Sequence, residues 1–458
     1  MELLTLIPDK SIFREYDIRG IAGESITEEV VEIIGKAYGT MIAQYGGAEV
    51  SVGYDCRKSS PSFRDALCKG IVSTGLNVVD IGMVTTPMVY FSTFTSGVDG
   101  GVMVTASHNP SEYNGLKMCV GRNSLFGKGI QKIKKEVEKG KFKTGKGRKR
   151  KANIVDSYLE FLEEKIHIKP GIKVAADGGN GTAGVACPEI LRRFGCELHE
   201  LYMNPDGDFP NHHPDPTVEE NLSDIKKKIA EAGLDVGLAF DGDADRIGIV
   251  DERGRAIRGD MLLLVYSLDL LQTNPGATII GDVKCSGNLF SQIRKAGGNP
   301  IMWKTGHSVI KDKMKKEGAE LGGEMSGHIF FKNRFFGYDD ALYAGLRFLE
   351  ILSKTGKKTS ELLAGLPKTF ATPEIRIDCP DEIKFQVTET VKGKLAEQHE
   401  VIDIDGVRVE YPDGWGLLRA SNTEPALVLR FEAQTEPRLA EIRENVERIL
   451  KETIGEIS

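Results

Sequence analysis

The chain reads as an α/β protein, three related α/β domains followed by a smaller α+β domain, and three observations predict this. Short apolar strands alternate with helix-compatible stretches up to Leu366-Pro367. A strand ending in aspartate and leading toward a helix recurs, as Val50-Ser51-Val52-Gly53 running into Tyr54-Asp55, as Lys173-Val174-Ala175-Ala176-Asp177 and as Thr278-Ile279-Ile280-Gly281-Asp282. Beyond Leu366-Pro367 the strands crowd together, at Glu374 to Asp378, Val401 to Asp403, Val407 to Tyr411, Gly416 to Ala420 and Ala426 to Glu432, with helical stretches beside them.

In chain order, Glu28 to Tyr45 carries Val30, Ile33, Ile34, Ala37 and Met41 at helical spacing, with Thr27 as a cap before Glu28 and Glu29. The strand at Val50 and a helix from Pro61 to Thr74 follow. The basic stretch Lys141 to Lys151, the turn Asp251 to Gly254 and Leu366-Pro367 divide the chain into 1–151, 152–254, 255–367 and 368–458. The basic stretch has Phe142 as its one aromatic and no strand alternation on which bases could stack, so it reads as a solvated linker.

The 458 residues, 40% hydrophobic and 28% charged, can bury several cores. A formal charge of −7 argues against a general nucleic-acid surface, and no run of about 18 apolar residues predicts a membrane span. Met1 to Lys10 lacks the basic and apolar regions of a secretory leader, so a soluble cytoplasmic protein is expected. The seven cysteines, Cys56, Cys68, Cys119, Cys187, Cys196, Cys285 and Cys379, are scattered and predict neither a disulfide framework nor a zinc site.

Chemistry concentrates in two loops. Thr105-Ala106-Ser107-His108-Asn109-Pro110 follows the apolar run Gly101-Val102-Met103-Val104 and places a hydroxyl at a strand end. Pro110 restricts Asn109, and His108 could assist proton movement. Taken alone, the segment reads better as a helix-capping turn, and the acidic loop downstream reverses that order. Asp241-Gly242-Asp243-Ala244-Asp245-Arg246 follows the strand Leu238-Ala239-Phe240, and its alternating carboxylates can face one hard cation, for which Mg²⁺ is suited. An EF-hand is its nearest rival, since Glu252 falls at the twelfth loop position, but Arg246 stands where that loop needs glycine. A phosphorylated serine opposite the acidic loop, with a cation between them and Arg246 as a cationic fork, would form a phosphoryl-transfer centre.

These loops, with Gly323-Glu324-Met325-Ser326-Gly327-His328, Arg419-Ala420-Ser421-Asn422-Thr423-Glu424-Pro425 and the early segment Phe13 to Gly20, resemble the α-D-phosphohexomutase family. The resemblance implies four domains around a central cleft, each contributing one loop. It implies that Ser107 carries phosphate and that Asp241, Asp243 and Asp245, together with Ser107, hold Mg²⁺. Glu324 and Ser326 would read sugar hydroxyls, while Arg419, Ser421, Asn422 and Thr423 would grip the nonreacting phosphate with directional donors. Tyr16, Arg19, Lys284 and His307 fall where similar enzymes contact substrate. Lys117 and His328 are the expected proton-transfer groups, alongside His108 and Arg246 at the chemical centre.

The implied reaction moves phosphate between C1 and C6 of a hexose monophosphate, through a bound hexose 1,6-bisphosphate that also serves as activator. Met325 resembles the phosphomannomutase/phosphoglucomutase subgroup, whereas the phosphoglucosamine subgroup typically has Gln there, so glucose and mannose phosphates are the expected substrates. A phosphoglucosamine mutase, a metal-dependent sugar phosphatase and a phosphosugar-binding protein are the alternatives. Neither nucleic acid nor membrane is an expected partner; protein partners are not legible.

Overall fold

The computed structural model describes residues 9–421 and 425–457. Three of its four sheets share one plan. In the first, Glu49–Tyr54 lies between Gly100–Val104 and Asn77–Met83, all parallel, and Tyr113–Val120 closes antiparallel onto Gly100–Val104. The second repeats this with Lys173–Asp177 between Val236–Phe240 and Glu197–Leu201, and Ile247–Asp251 as the antiparallel strand. The third uses Thr278–Asp282 between Leu321–Gly323 and Asn299–Trp303, with Ile329–Phe331 antiparallel. Each unit therefore turns a short loop where its last parallel strand passes to the antiparallel one. Those loops are 105–112, 241–246 and 324–328.

Gly100–Val104 and Val236–Phe240 are buried throughout, which accounts for their unbroken apolar reading. The first helix runs Glu28–Gln44 with the Thr27 hydroxyl accepting the Val30 N–H, as its spacing and cap predict. One continuous core spans Val79 in the first unit to Leu352 in the third. Helix Ala341–Thr355 contributes to it by laying Gly345 against Leu238 and Ile247 of the second sheet.

The end of the basic stretch departs from its expected role as a linker. Lys149–Lys151 pairs parallel with Asn77–Met83 and forms an edge of the first sheet. Its side chains are exposed and carry no alternation; backbone pairing alone makes it a strand, and cations on an edge oppose further strand addition.

The C-terminal sheet is antiparallel, in the order Phe370–Ala371, Ala426–Ala433, Gly414–Ala420, Val407–Tyr411 and Glu400–Ile402, with Ile375–Asp378 also on Ala426–Ala433. Helices Lys384–Ala396 and Glu436–Ile457 pack on it around a separate core. Trp415 and Leu417 reach out of this unit to Val283 of the third. No helix among the described residues is long and apolar enough to cross a membrane.

Candidate active site

Ser107 occupies a backbone conformation that few non-glycine residues adopt, with φ of 53°. Its N–H donates to the Thr105 hydroxyl at 2.9 Å, and its own Oγ donates to Asp241 Oδ2 at 2.8 Å. The two expected loops, 134 positions apart, thus meet through one hydrogen bond. His108 Nδ1 stands 3.3 Å from the same Oγ. Burial, then Arg246 and Arg19, pushes the His108 imidazole well below its ordinary value.

Asp241 Oδ1 accepts the N–H groups of Asp245 and Arg246, both at 3.0 Å, and so curls the acidic loop. Asp241, Asp243 and Asp245 offer carboxylate oxygens within 4.8 Å of one another. Lys117 Nζ donates to Asp243 Oδ2 at 2.6 Å and to Asp245 Oδ2 at 2.5 Å. Against the effect of burial, Asp243, Asp245 and Asp241 hold Lys117 protonated. Asp243 Oδ1 is buried without a hydrogen-bond partner. Burial, then the charges of Asp245 and Asp243, pushes the Asp241 carboxyl well up. A crowded set of hard oxygens, one of them orphaned, could hold a divalent metal ion.

The third loop joins the second directly. Arg246 and His328 form an antiparallel bridge, and the Ile247 N–H donates to the Gly327 carbonyl at 3.1 Å. His328 places Nε2 3.1 Å from Asp245 Oδ1 and Nδ1 2.9 Å from Glu324 Oε2. A ring with a carboxylate at each nitrogen favours the imidazolium. Burial opposes that charge, but Asp245 and the two hydrogen bonds raise His328 to about 9. Glu324 is correspondingly held at about 2 by His328, against burial. Ser326 Oγ lies 3.1 Å from His328 Nδ1, and Glu324 Oε1 accepts the Gly306 N–H at 2.6 Å.

His307 stacks on His328 with ring centroids 5.4 Å apart. Its Nδ1 is 3.0 Å from Asp339 Oδ2, and burial lowers its basicity. Tyr16 donates its hydroxyl to the Thr305 carbonyl at 2.9 Å and sets its ring edge-on to His307. Arg19 bonds Asn109 Oδ1 in the serine loop and Asp17 Oδ2, each at 2.5 Å.

From the C-terminal unit, Arg419 Nε donates to Asp405 Oδ2 at 3.0 Å, and the same oxygen accepts the Thr305 N–H at 3.1 Å. Lys284 Nζ donates to Glu374 Oε2 at 3.1 Å, and this cation is the leading reason that Glu374 lies at about 2. Ser421 is buried beyond Arg419, its N–H on the Ala426 carbonyl. Asn422 and Thr423 lie outside the described residues.

Several contributors, Asp339 among them, were absent from the sequence reading. Thr86 donates its hydroxyl to Asp243 Oδ2 at 2.5 Å and its N–H to the Asp243 carbonyl. Its signal is local, since Thr85-Thr86-Pro87 has the form of a helix start. Arg57 binds the serine loop from beneath, while Asp405 and Glu374 hold the two cations of the last unit. Nothing in their neighbouring sequence marks these three.

Family models match nearly the whole chain. Those described as phosphoglucomutase/phosphomannomutase, alpha/beta/alpha domains I, II and III, match residues 10–144, 156–254 and 258–370, and the C-terminal domain matches 374–449. A phosphomannomutase/phosphoglucomutase of Pseudomonas putida is 46% identical over 96% of this chain and 95% of its own. A phosphoglucomutase of Neisseria gonorrhoeae is 43% identical over 96% and 97%. The crystal structure of a phosphoglucomutase/phosphomannomutase family protein from Burkholderia thailandensis superposes with a TM-score of 0.93 at 42% identity, covering 97% of this chain and 98% of that one.

Proposed function

We propose that this chain, which belongs to the phosphoglucomutase/phosphomannomutase family and interconverts hexose 1- and 6-phosphates, does so by passing a phosphoryl group through Ser107. The observation that carries this reading is the 2.8 Å bond from Ser107 Oγ to Asp241 Oδ2, which sets a nearly inaccessible hydroxyl against the acidic cluster. A phosphoryl group on Oγ would adjoin those carboxylates and the cation Lys117 that is bonded to two of them, with Arg246 supplied by the same acidic loop. Mg²⁺ held by Asp241, Asp243 and Asp245 with the Ser107 group would neutralise charge on the transferring phosphoryl.

In the first half-reaction the Oγ–P bond breaks and phosphorus bonds the free hydroxyl oxygen of the sugar. Lys117 and His328, both held protonated, are the candidate donors of the proton that Oγ takes up, and the sugar hydroxyl's proton would then replace the one given up. The bound product is a hexose 1,6-bisphosphate. After the sugar reverses, the second half-reaction runs backward at its other phosphate and restores phospho-Ser107. Added bisphosphate would therefore act as activator, by phosphorylating the resting serine.

Glu324 and Ser326, braced by His328, read sugar hydroxyls, and Tyr16, Arg19 and His307 line the sugar's path. Arg419, Lys284 and Ser421, with Asn422 and Thr423, hold the phosphate that is not reacting. Among the described residues Arg419 is engaged by Asp405 and Lys284 by Glu374, and a dianionic phosphate would compete for both cations. The relatives' printed activities and Met325 favour glucose and mannose phosphates as substrates. All seven cysteines are free thiols, as suits a reducing compartment, and we place the enzyme in the cytoplasm.

Product analysis tests the assignment. Glucose 1-phosphate and mannose 1-phosphate, supplied with Mg²⁺ and a trace of glucose 1,6-bisphosphate, should convert to 6-phosphates without net release of inorganic phosphate. Stoichiometric phosphate release would instead make the protein a phosphatase.

A further inference from the structure

We infer that Arg57 is a positioning residue for phosphoryl transfer, holding the Ser107 peptide in the one conformation that aims Oγ at the acidic cluster. This rests on the assignment of Ser107 as phosphoryl carrier.

The three related units each carry an aspartate at the end of their central parallel strand, and the three aspartates are used differently. Asp177 faces His212, and Asp282 faces Thr305 and Cys285. Asp55 instead binds an arginine two residues on, with Arg57 Nε at 3.2 Å from Oδ2 and the Arg57 N–H at 3.0 Å from Oδ1. The Ser60 hydroxyl donates to that Oδ1 as well, so the carboxylate is fixed from two sides.

Arg57 is fully buried, and a guanidinium has five N–H donors. All five are used. Nη2 donates to the carbonyls of Ser107 at 2.8 Å and Asn109 at 2.6 Å. Nη1 donates to those of Pro110 at 2.5 Å and Tyr113 at 3.0 Å. Nε takes the Asp55 carboxylate. Four carbonyls within seven residues thus converge on one planar cation, and the Pro110 carbonyl accepts the Tyr113 N–H as well, at 3.1 Å.

The Ser107 peptide is gripped from both sides. Its carbonyl oxygen lies between Arg57 and the Gly242 backbone, where a Cβ on Gly242 would collide with it. Phe209 of the second unit lays its ring 5.2 Å from the guanidinium carbon, and Gly207 packs against the Arg57 backbone. The cation is therefore kept dry, where its hydrogen bonds are strongest. With φ at 53°, Ser107 holds an unfavourable conformation that its surroundings must impose, and these four bonds impose it. Arg57 reaches the loop's backbone and leaves Oγ to Asp241, so its effect falls on the aim of the hydroxyl.

Lysine at position 57 would keep the charge and offer three donors without the planar fork, too few for five acceptors. In Arg57→Lys, kcat for glucose 1-phosphate isomerisation should fall about 10- to 100-fold, the range for a displacement of up to about 1 Å at a reacting atom. KM should stay within about threefold, because the groups assigned to the sugar hydroxyls and the distal phosphate, Glu324, Ser326, Lys284 and Arg419, belong to the third and fourth units. The loss should persist when parent and variant carry equal phosphate, measured by intact-protein mass spectrometry. A folded Arg57→Lys with kcat within twofold of the parent, or with KM raised as much as kcat is lowered, overturns the inference. If Arg57→Lys does not fold, Asp55→Asn decides the matter: it should lower kcat three- to tenfold at constant KM, and an unchanged kcat overturns it. Peptide mapping of the parent separates the two levels. Phosphate on a residue other than Ser107 removes the carrier and this inference together, whereas phospho-Ser107 with an undiminished Arg57→Lys removes the inference alone.

Discussion

Alanine at position 259 would drive a methyl group into the backbone of the sugar loop. Gly259 opens the helix Gly259–Thr273, where alanine would ordinarily gain up to about 1 kcal/mol in helix propensity. Here a Cβ would stand 2.6 Å from the Glu324 carbonyl oxygen, 2.7 Å from that of Met325 and 2.9 Å from the Gly327 nitrogen. All three are backbone atoms inside the 3.0 Å that real Cβ atoms respect, so no side-chain rotation relieves them. The loop must retreat by a few tenths of an ångström. Overpacking of this kind costs roughly 1 to 3 kcal/mol, which outweighs the propensity gain. Because Glu324 and His328 ride on that loop, kcat/KM should fall on the order of tenfold, scaled from the penalty for a full ångström. Steady-state kinetics with glucose and mannose 1-phosphates, beside thermal unfolding, provide the assay. Gly393→Ala is the control, since it lies in the helix Lys384–Ala396 with nothing within 4 Å of its Cβ, and should stabilise without touching activity. A Gly259→Ala enzyme as active as the parent and more stable would refute the reasoning.

Asp243→Asn should lower metal-dependent turnover by two orders of magnitude or about 3 kcal/mol in the barrier, with a weakened Mg²⁺ response and little change in unfolding temperature; a normal Mg²⁺ titration would remove Asp243 from the metal set. Glu324→Ala should depress turnover on all phosphohexoses, whereas Arg419→Ala should chiefly weaken their binding by about 1.5 to 3 kcal/mol, and equal affinity for parent and Arg419→Ala by calorimetry would dismiss the phosphate grip. Asp340 caps the helix Ala341–Thr355, takes the Tyr158 hydroxyl at 2.9 Å, and is raised by burial to about 7 from 3.8. Between those two values the unfolded chain is ionised and the folded one protonated, so stability falls as pH rises through that window, by about 4 kcal/mol, and is level above it. Asp340→Asn should therefore gain on the parent in urea midpoint between pH 4.5 and 7.5, and parallel curves would exclude this titration.

The residues that the sequence made legible are those whose chemistry is contiguous. Ser107 and the three aspartates each sit in one short loop after an apolar strand, and the repeated sheet plan explains why, since the same strand junction is used in all three related units. Partners from elsewhere in the chain were not legible. Thr86 reaches Asp243 across 157 positions, and Asp405 reaches Thr305 across 100, with residue types too common to single out. Arg57 was hidden for a different reason: it acts on backbone carbonyls, which have no sequence signature. The edge strand Lys149–Lys151 was misread as linker because a strand held by backbone pairing alone needs no apolar alternation.

Single-turnover transfer from the labelled enzyme puts the phosphoserine cycle to the test. The enzyme is charged with radioactive phosphate from labelled glucose 1,6-bisphosphate, freed of sugar, and mixed with excess glucose 6-phosphate and Mg²⁺ in a rapid-quench apparatus. Label should leave Ser107 and appear in glucose 1,6-bisphosphate at a rate no slower than kcat, and Ser107→Ala should accept no label. Label that remains on Ser107 while isomerisation proceeds, or that leaves only as inorganic phosphate, would contradict the mechanism.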